Sequence, residues 1–195
     1  MPPGKDTATL SKRELVLAAT LELTAEKGIQ STSTADIAAA ANVGMGTIYR
    51  YFESKEILFT ALFDELKHKF IGIIISNYDS GIDIHDNFRK IVVVLVKYYI
   101  ENEHEFRYME RYSDSRLRVG KGLDEFAVLV EHATSMVRGI RHNYKFKPLP
   151  PLVLFAMTYG PLVALVNLVH MNKVELTDRL LDEIAEACWD SILDK

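Results

Sequence analysis

An all-α chain, with a three-helix head ahead of a larger helical bundle, is predicted by four features of the sequence. Apolar residues recur at helical spacing through nearly every long segment. Strand-like alternation is scarce, because the β-branched runs Ile71–Ile75 and Ile91–Val96 each sit inside a longer helical pattern. Capping residues, glycines and prolines punctuate these segments where helices must start and stop. Finally, 48% of the 195 residues are hydrophobic and 26% charged, which is ample for a core and unlike a disordered or fibrous chain.

The first helix is predicted to begin at Ser11, which has capping-box spacing to Glu14, and to end at Gly28. Val16, Ala19, Thr20, Leu23 and Lys27 follow at helical intervals. Thr32 or Thr34 caps a second helix, with Asp36 in its first turn, where a carboxylate suits the helix dipole. A short third helix runs from about Met45 to Tyr51, and Ser54 caps a long fourth from Lys55 to about Tyr78. Beyond Asp79-Ser80-Gly81, helices are expected at about 84–103, 105–118, 122–146, 150–171 and 177–193, with Thr177 capping the last. That makes about nine helices, divided into a head over residues 1–54 and a body over residues 55–195.

The segment from Thr34 to Phe52 has helix-turn-helix spacing. Two short helices that cross steeply need small facing residues, which Ala38 supplies, and an apolar seam, which Ile37, Ala41, Val43, Ile48 and Phe52 supply. The turn between them needs a residue that tolerates positive φ, and Asn42 stands there. Met45, Gly46, Thr47 and Arg50 then fall on the outer face of the second helix, where a DNA major groove would receive them. Bulk charge does not advertise this partner. The chain carries a net −4, and in residues 1–55 six basic groups cancel six acidic ones.

Residues 11–60 resemble the N-terminal domain of the tetracycline-repressor-like (TetR) transcriptional regulators. The resemblance is carried by Leu23, Ala25-Glu26-Lys27-Gly28, Thr34, Asp36-Ile37-Ala38, Ala41, Val43, Gly46-Thr47-Ile48-Tyr49, Tyr51-Phe52 and Ser54-Lys55-Glu56-Ile57-Leu58. It implies that Thr34, Tyr49, Tyr51 and Lys55 contact phosphates while Met45, Gly46, Thr47 and Arg50 face the bases. For Tyr49 and Tyr51 the competing assignment is a core aromatic. The sequence departs from the family pattern at Asn42, where glycine is usual, at Gly44, where serine is usual, and at Thr24, where an aromatic is usual. Gly44 forfeits a capping hydroxyl, and Thr24 thins the core of the head.

The resemblance further implies a C-terminal body that binds a small-molecule effector and pairs with a second copy through a four-helix bundle. Within the body, Tyr98, Met109, Tyr112, Phe126, Phe155 and Tyr159 are candidate walls for an apolar or aromatic effector, although each also suits an ordinary core. Leu152, Val163 and Val166 in the penultimate helix, with Leu181, Ile184, Cys188 and Trp189 in the last, form apolar surfaces wide enough to need intrachain cover or a twofold partner. Arg107, Arg111, Arg116, Arg118 and Lys121 are interspersed with acids and read as a solvated face rather than an anion site.

Other functions find less support. No nucleophile elbow, phosphate loop or zinc motif is present, so neither an enzyme nor a cofactor or metal site is expected. The lone Cys188 fits a reducing cytoplasm. Leu149–Met171 is uncharged and long enough to span a bilayer, which leaves a membrane-anchored helical protein as the alternative. Pro150, Pro151, Gly160-Pro161, Asn167 and His170 favour a buried helix there, with no membrane partner. The expectation is thus a cytoplasmic homodimer that binds a roughly palindromic double-stranded operator and is released by its effector.

Overall fold

The computed structural model describes residues 10–114 and 144–194. Among them are eight helices: α1 (Lys12–Lys27), α2 (Thr34–Ala40), α3 (Met45–Tyr51), α4 (Lys55–Asn77), α5 (Ile84–Glu101), α6 (Glu103–Asp114), α7 (Pro151–His170) and α8 (Asp178–Ile192). The predicted all-α class holds. The chain forms two compact units. One takes in the described residues up to Lys67 with those from His104 to Asp114, and the other takes in His68–Glu103 with the described residues from Tyr144 onward.

In the first unit, α1 opens with the reciprocal cap expected of Ser11 and Glu14. The Glu14 amide donates to Ser11 Oγ at 3.2 Å, and the Ser11 amide donates to Glu14 Oε2 at 2.7 Å. Gly28 closes the helix at φ 83°. The cap of α2 is Ser33, which corrects the expectation of Thr32 or Thr34. Thr32 is fully buried and spends its hydroxyl on the Gly28 carbonyl at 2.9 Å, while Thr34 is already the first helical residue. Ser33 therefore accepts the Asp36 amide at 3.1 Å.

The core of this unit joins Val16 and Leu17 of α1 to Ile37, Ile48 and Phe52, and continues into Leu58 and Phe59 of α4. α6 completes it. Tyr108 Oη donates to the Phe59 carbonyl at 2.8 Å, and Tyr112 Oη lies 2.8 Å from Thr60 Oγ1. Arg111 Nη1 reaches the Thr24 carbonyl at 3.3 Å. Thr24 itself is buried and turns its hydroxyl to the Leu21 carbonyl at 2.9 Å, which makes a polar side chain acceptable at a core position.

In the second unit, α5, α7 and α8 pack together. Trp189 is 4% exposed, with Phe88, Tyr144 and Phe146 ringed about it at centroid distances of 5.1–5.6 Å. Residues 144–149 are not helical, so the helix predicted over 122–146 does not reach Tyr144; the rest of that prediction lies outside the described residues. Two causes act here. Tyr144 and Phe146 alternate at period two so that both rings meet Trp189 edge-on, and the backbone pairs with the end of α8. Lys147 N donates to Ile192 O at 2.9 Å, and Asp194 N to Lys145 O at 2.8 Å.

α7 is long and apolar enough to cross a membrane. Among the described residues it buries Leu154, Leu162, Leu165 and Val166. The expected buried helix is thus covered along part of its surface, where α5 and α8 pack against it. Thr177 caps α8 as expected, accepting the Leu180 amide at 3.1 Å.

Candidate nucleic-acid interface

The turn that presents α3 is set by Asn42, which adopts φ 51°. With Asn42 left-handed, the Val43 amide reaches back to the Ala38 carbonyl at 3.0 Å and the Asn42 amide to the Ala39 carbonyl at 3.1 Å. These are the paired bonds of a Schellman stop, which satisfy carbonyls that a helix end leaves open. The chain re-enters a helix at once, through Gly44. Gly44 caps α3 with no side-chain hydrogen bond; only its carbonyl serves, accepting Thr47 N at 2.8 Å.

α2 is fixed from the other side. Lys27 Nζ lies 2.7 Å from Asp36 Oδ2, and Ser33 Oγ donates to the same oxygen at 2.7 Å. Lys27, with help from Ser33, holds the Asp36 carboxyl at about 2, well below its ordinary value.

Within the seven residues of α3, only Ile48 is buried. At about 100° per residue, the positions two before and two after it point most directly outward. Those are Gly46 and Arg50, and both are exposed. Met45 is 39% exposed and Thr47 half-buried, so the base-facing four form the outer surface of α3 with Thr47 at its edge. Tyr49 and Tyr51 are 49% and 39% exposed, which excludes the core-aromatic assignment for both. Thr34 is half-buried at the start of α2, and Lys55 half-buried at the start of α4.

The cations divide into two groups. Arg13 is bridged to Glu65 and Lys27 to Asp36. Arg13 lies over the Phe52 ring as well, at 5.6 Å. Arg50 and Lys55 have their aromatic rings without such a bridge: the Arg50 guanidinium lies 5.0 Å from the Tyr51 centroid, and Lys55 Nζ lies 5.4 Å from that of Phe59. Neither is bridged to a carboxylate among the described residues. A π face holds a cation in place without neutralising it. The sequence did not signal this sorting, because it depends on which acid each cation meets in space.

The body candidates are distributed unevenly. Tyr98, Phe155 and Tyr159 lie in the second unit, where Phe155 stacks on Tyr159 at 5.0 Å and Phe70 meets Tyr159 edge-on at 5.7 Å. Phe70 and Tyr99 belong to this cluster, and sequence reasoning passed over both. Met109 and Tyr112 are instead part of the first unit's core, with Tyr112 stacked on Phe63 at 4.7 Å. Phe126 lies outside the described residues. Among the interface candidates, Val166, Leu181, Cys188 and Trp189 are buried by their own chain, Val163 and Ile184 are half-buried, and Leu152 is 48% exposed.

Comparison with known proteins covers almost the whole chain. Residues 16–62 match the family described as bacterial regulatory proteins, tetR family, and residues 63–193 match the tetracyclin repressor-like C-terminal domain. The HTH-type transcriptional repressor KstR2 of Rhodococcus jostii is 38% identical over 86 residues, covering 40% of this chain and 41% of KstR2. The HTH-type transcriptional regulator LuxR of Vibrio harveyi is 24% identical over 102 residues, covering 52% of this chain and 50% of LuxR. The matched stretch thus spans half or less of these curated relatives. A solved TetR family transcription regulator from Marinobacter aquaeolei is 26% identical, with a TM-score of 0.84 over 94% of this chain and 96% of that one. The FadR regulator of Bacillus subtilis, solved with stearoyl-CoA, shares the fold at 20% identity, with a TM-score of 0.71 over 91% and 98%. With one family model over the head and another over the body, the chain belongs to the tetR family of bacterial regulatory proteins.

Proposed function

We propose that the protein is a homodimeric transcriptional repressor that reads a palindromic operator with α3 and leaves it when a small molecule binds the body. The observation that carries this reading is the outer face of α3. Gly46 and Arg50 point outward, the half-exposed Tyr49 and Tyr51 flank them, and Arg50 and Lys55 keep their charge available on aromatic rings. Met45, Gly46, Thr47 and Arg50 face base edges, while Thr34, Tyr49, Tyr51 and Lys55 hold phosphates and set the register. In this reading residues 1–54 are the DNA-binding part, residues 55–195 sense and dimerise, and the protein works in the cytoplasm as a regulator rather than an enzyme.

Two features of the second unit support the rest. The aromatic cluster of Phe70, Tyr98, Tyr99, Phe155 and Tyr159 suits an apolar or aromatic effector. The outer face of α7 exposes Leu152, Ala156, Gly160, Ala164 and Leu168, one residue per turn, with Ala187 exposed on α8. A second copy of the same helices would cover that stripe, and its small residues allow close approach. Two heads held in this way address successive turns of the duplex. The effector acts by favouring a body conformation in which the heads no longer match the operator, and its differential affinity for the two states bounds the effect.

The deciding experiment is selection of bound sequences from random duplexes by the purified protein. A recovered palindrome is expected. Arg50→Ala should relax preference at one base pair, and Lys55→Ala should weaken binding to all sequences and lower the salt slope by about one. No enrichment over random sequence would overturn the reading. Partition of the native protein into vesicles rather than buffer would favour a membrane-covered α7.

A further inference from the structure

Neighbouring residues in a helix point about 100° apart and do not normally touch. Arg50 and Tyr51 do touch, because Arg50 curls back along the helix surface. Its guanidinium lies 5.0 Å from the Tyr51 ring centroid, and Nη2 donates to Tyr51 Oη at 3.0 Å. We propose that Tyr51 is a positioning residue for Arg50: it fixes the direction in which the guanidinium reads a base, through a hydroxyl that also donates to a phosphate.

The chemistry of the two groups allows one hydroxyl to do both. A phenol oxygen that accepts from a guanidinium keeps its own proton to donate, and its preferred acceptor is an anion such as a phosphate oxygen. The guanidinium carries five donors, so one hydrogen bond to Tyr51 leaves an edge free for the two acceptors of guanine. Arginine is otherwise a long side chain with many rotamers, and holding it before contact removes freedom that docking would have to remove. Gly46 lies one turn before Arg50 on the same outward face, and among the described residues nothing outside the adjacent backbone of α3 comes within 4 Å of where its Cβ would be. A base edge therefore has room to approach the guanidinium from that side. The inference rests on α3 being the reading helix; what it adds is that backbone grip and base choice are coupled through a single side chain.

The test uses the duplex recovered by selection and a set of variants of it, each changed at one base pair. Binding is measured for the wild type, Tyr51→Phe, Arg50→Ala, the double variant and Arg50→Lys. Tyr51 is 39% exposed, and among the described residues its hydroxyl pairs with Arg50 alone, so phenylalanine preserves the fold. Tyr51→Phe should lower discrimination at the base pair where Arg50→Ala abolishes it, by about three- to tenfold, the range of one hydrogen bond. In the Arg50→Ala background it should change discrimination at no position. Arg50→Lys, which keeps charge but loses the fork, should discriminate poorly whether residue 51 is tyrosine or phenylalanine. The inference is overturned if Tyr51→Phe weakens every duplex by one factor and adds to Arg50→Ala on a logarithmic scale, as a plain phosphate contact would. It is also overturned if the wild type selects no sequence, but that outcome removes the DNA reading itself, so the two failures are distinct.

Discussion

Tyr108 on α6 donates its hydroxyl to the main-chain carbonyl of Phe59 on α4, 2.8 Å away, and stacks on the Phe59 ring at 6.4 Å. The residue is 2% exposed, and burial pushes its phenol well above the ordinary value. Tyr108→Phe removes the bond and leaves the packing. It should cost about 1 kcal/mol in denaturant unfolding. The wild type should also lose stability as pH rises above about 10, because the unfolded chain ionises there and the buried phenol does not. The variant should lose less over the same range. An identical high-pH limb in both proteins would show that Tyr108 is not its source.

Asp36 tests the clamp on α2. Its carboxyl is held at about 2 by Lys27 and Ser33, below its unfolded value of 3.8. A depressed carboxylate contributes stability that is present above the unfolded value and is lost as pH falls toward about 2. An NMR titration should place Asp36 near 2, and Lys27→Ala should move it upward. Ser33→Ala should destabilise the protein by about 1 kcal/mol through loss of the cap.

The turn makes a sharper demand. With φ at 51°, Asn42 sits where a Cβ is strained. Asn42→Ala should destabilise by about 1 kcal/mol, whereas Asn42→Gly should be neutral or stabilising. Equal thermal midpoints for the alanine and glycine variants would contradict the backbone argument.

Gly44 and Gly46 stand two residues apart and should respond alike in stability but in opposite ways in DNA affinity. At both positions a new Cβ meets nothing within 4 Å, and neither has positive φ. Gly44→Ser supplies the missing cap hydroxyl and should raise stability by a few tenths of a kcal/mol while holding or improving DNA affinity. Gly46→Ala should raise stability by about 0.5–1 kcal/mol, because the fold has no use for glycine there, yet weaken operator binding. Unchanged affinity in Gly46→Ala would remove Gly46 from the base-facing set.

The stripe on α7 can be tested without DNA. Leu168 is 42% exposed in the single chain, so Leu168→Glu should leave the protomer folded. Sedimentation should then report a monomer where the wild type sediments as a dimer. A dimeric variant would move the interface elsewhere.

Local chemistry was legible in the sequence, and contact across the fold was not. Ser11, Asn42, Ser54 and Thr177 were readable because a cap or turn depends on a few adjacent residues. Ser33 was missed because the choice among three neighbouring hydroxyls turns on which is buried, and Thr32 is drawn inward by the Gly28 carbonyl. Tyr112 and Tyr159 look alike as aromatic residues on helices, yet one stacks on Phe63 and the other on Phe155. The breadth of apolar surface on α8 was clear, but not that Leu181, Cys188 and Trp189 would be covered by their own chain. Periodicity identifies the apolar face of a helix without naming what covers it.

The shared core of α1, α4 and α6 matters for anyone building hybrid regulators. A graft that takes residues 1–54 onto a foreign body would sever Val16 and Ile37 from Leu58, Phe59 and Tyr108. The transplant would then have to rebuild its own interior against unfamiliar side chains. A workable junction lies after Lys67, with the segment from His104 carried along, so that the exchangeable module is discontinuous in the gene although continuous in space.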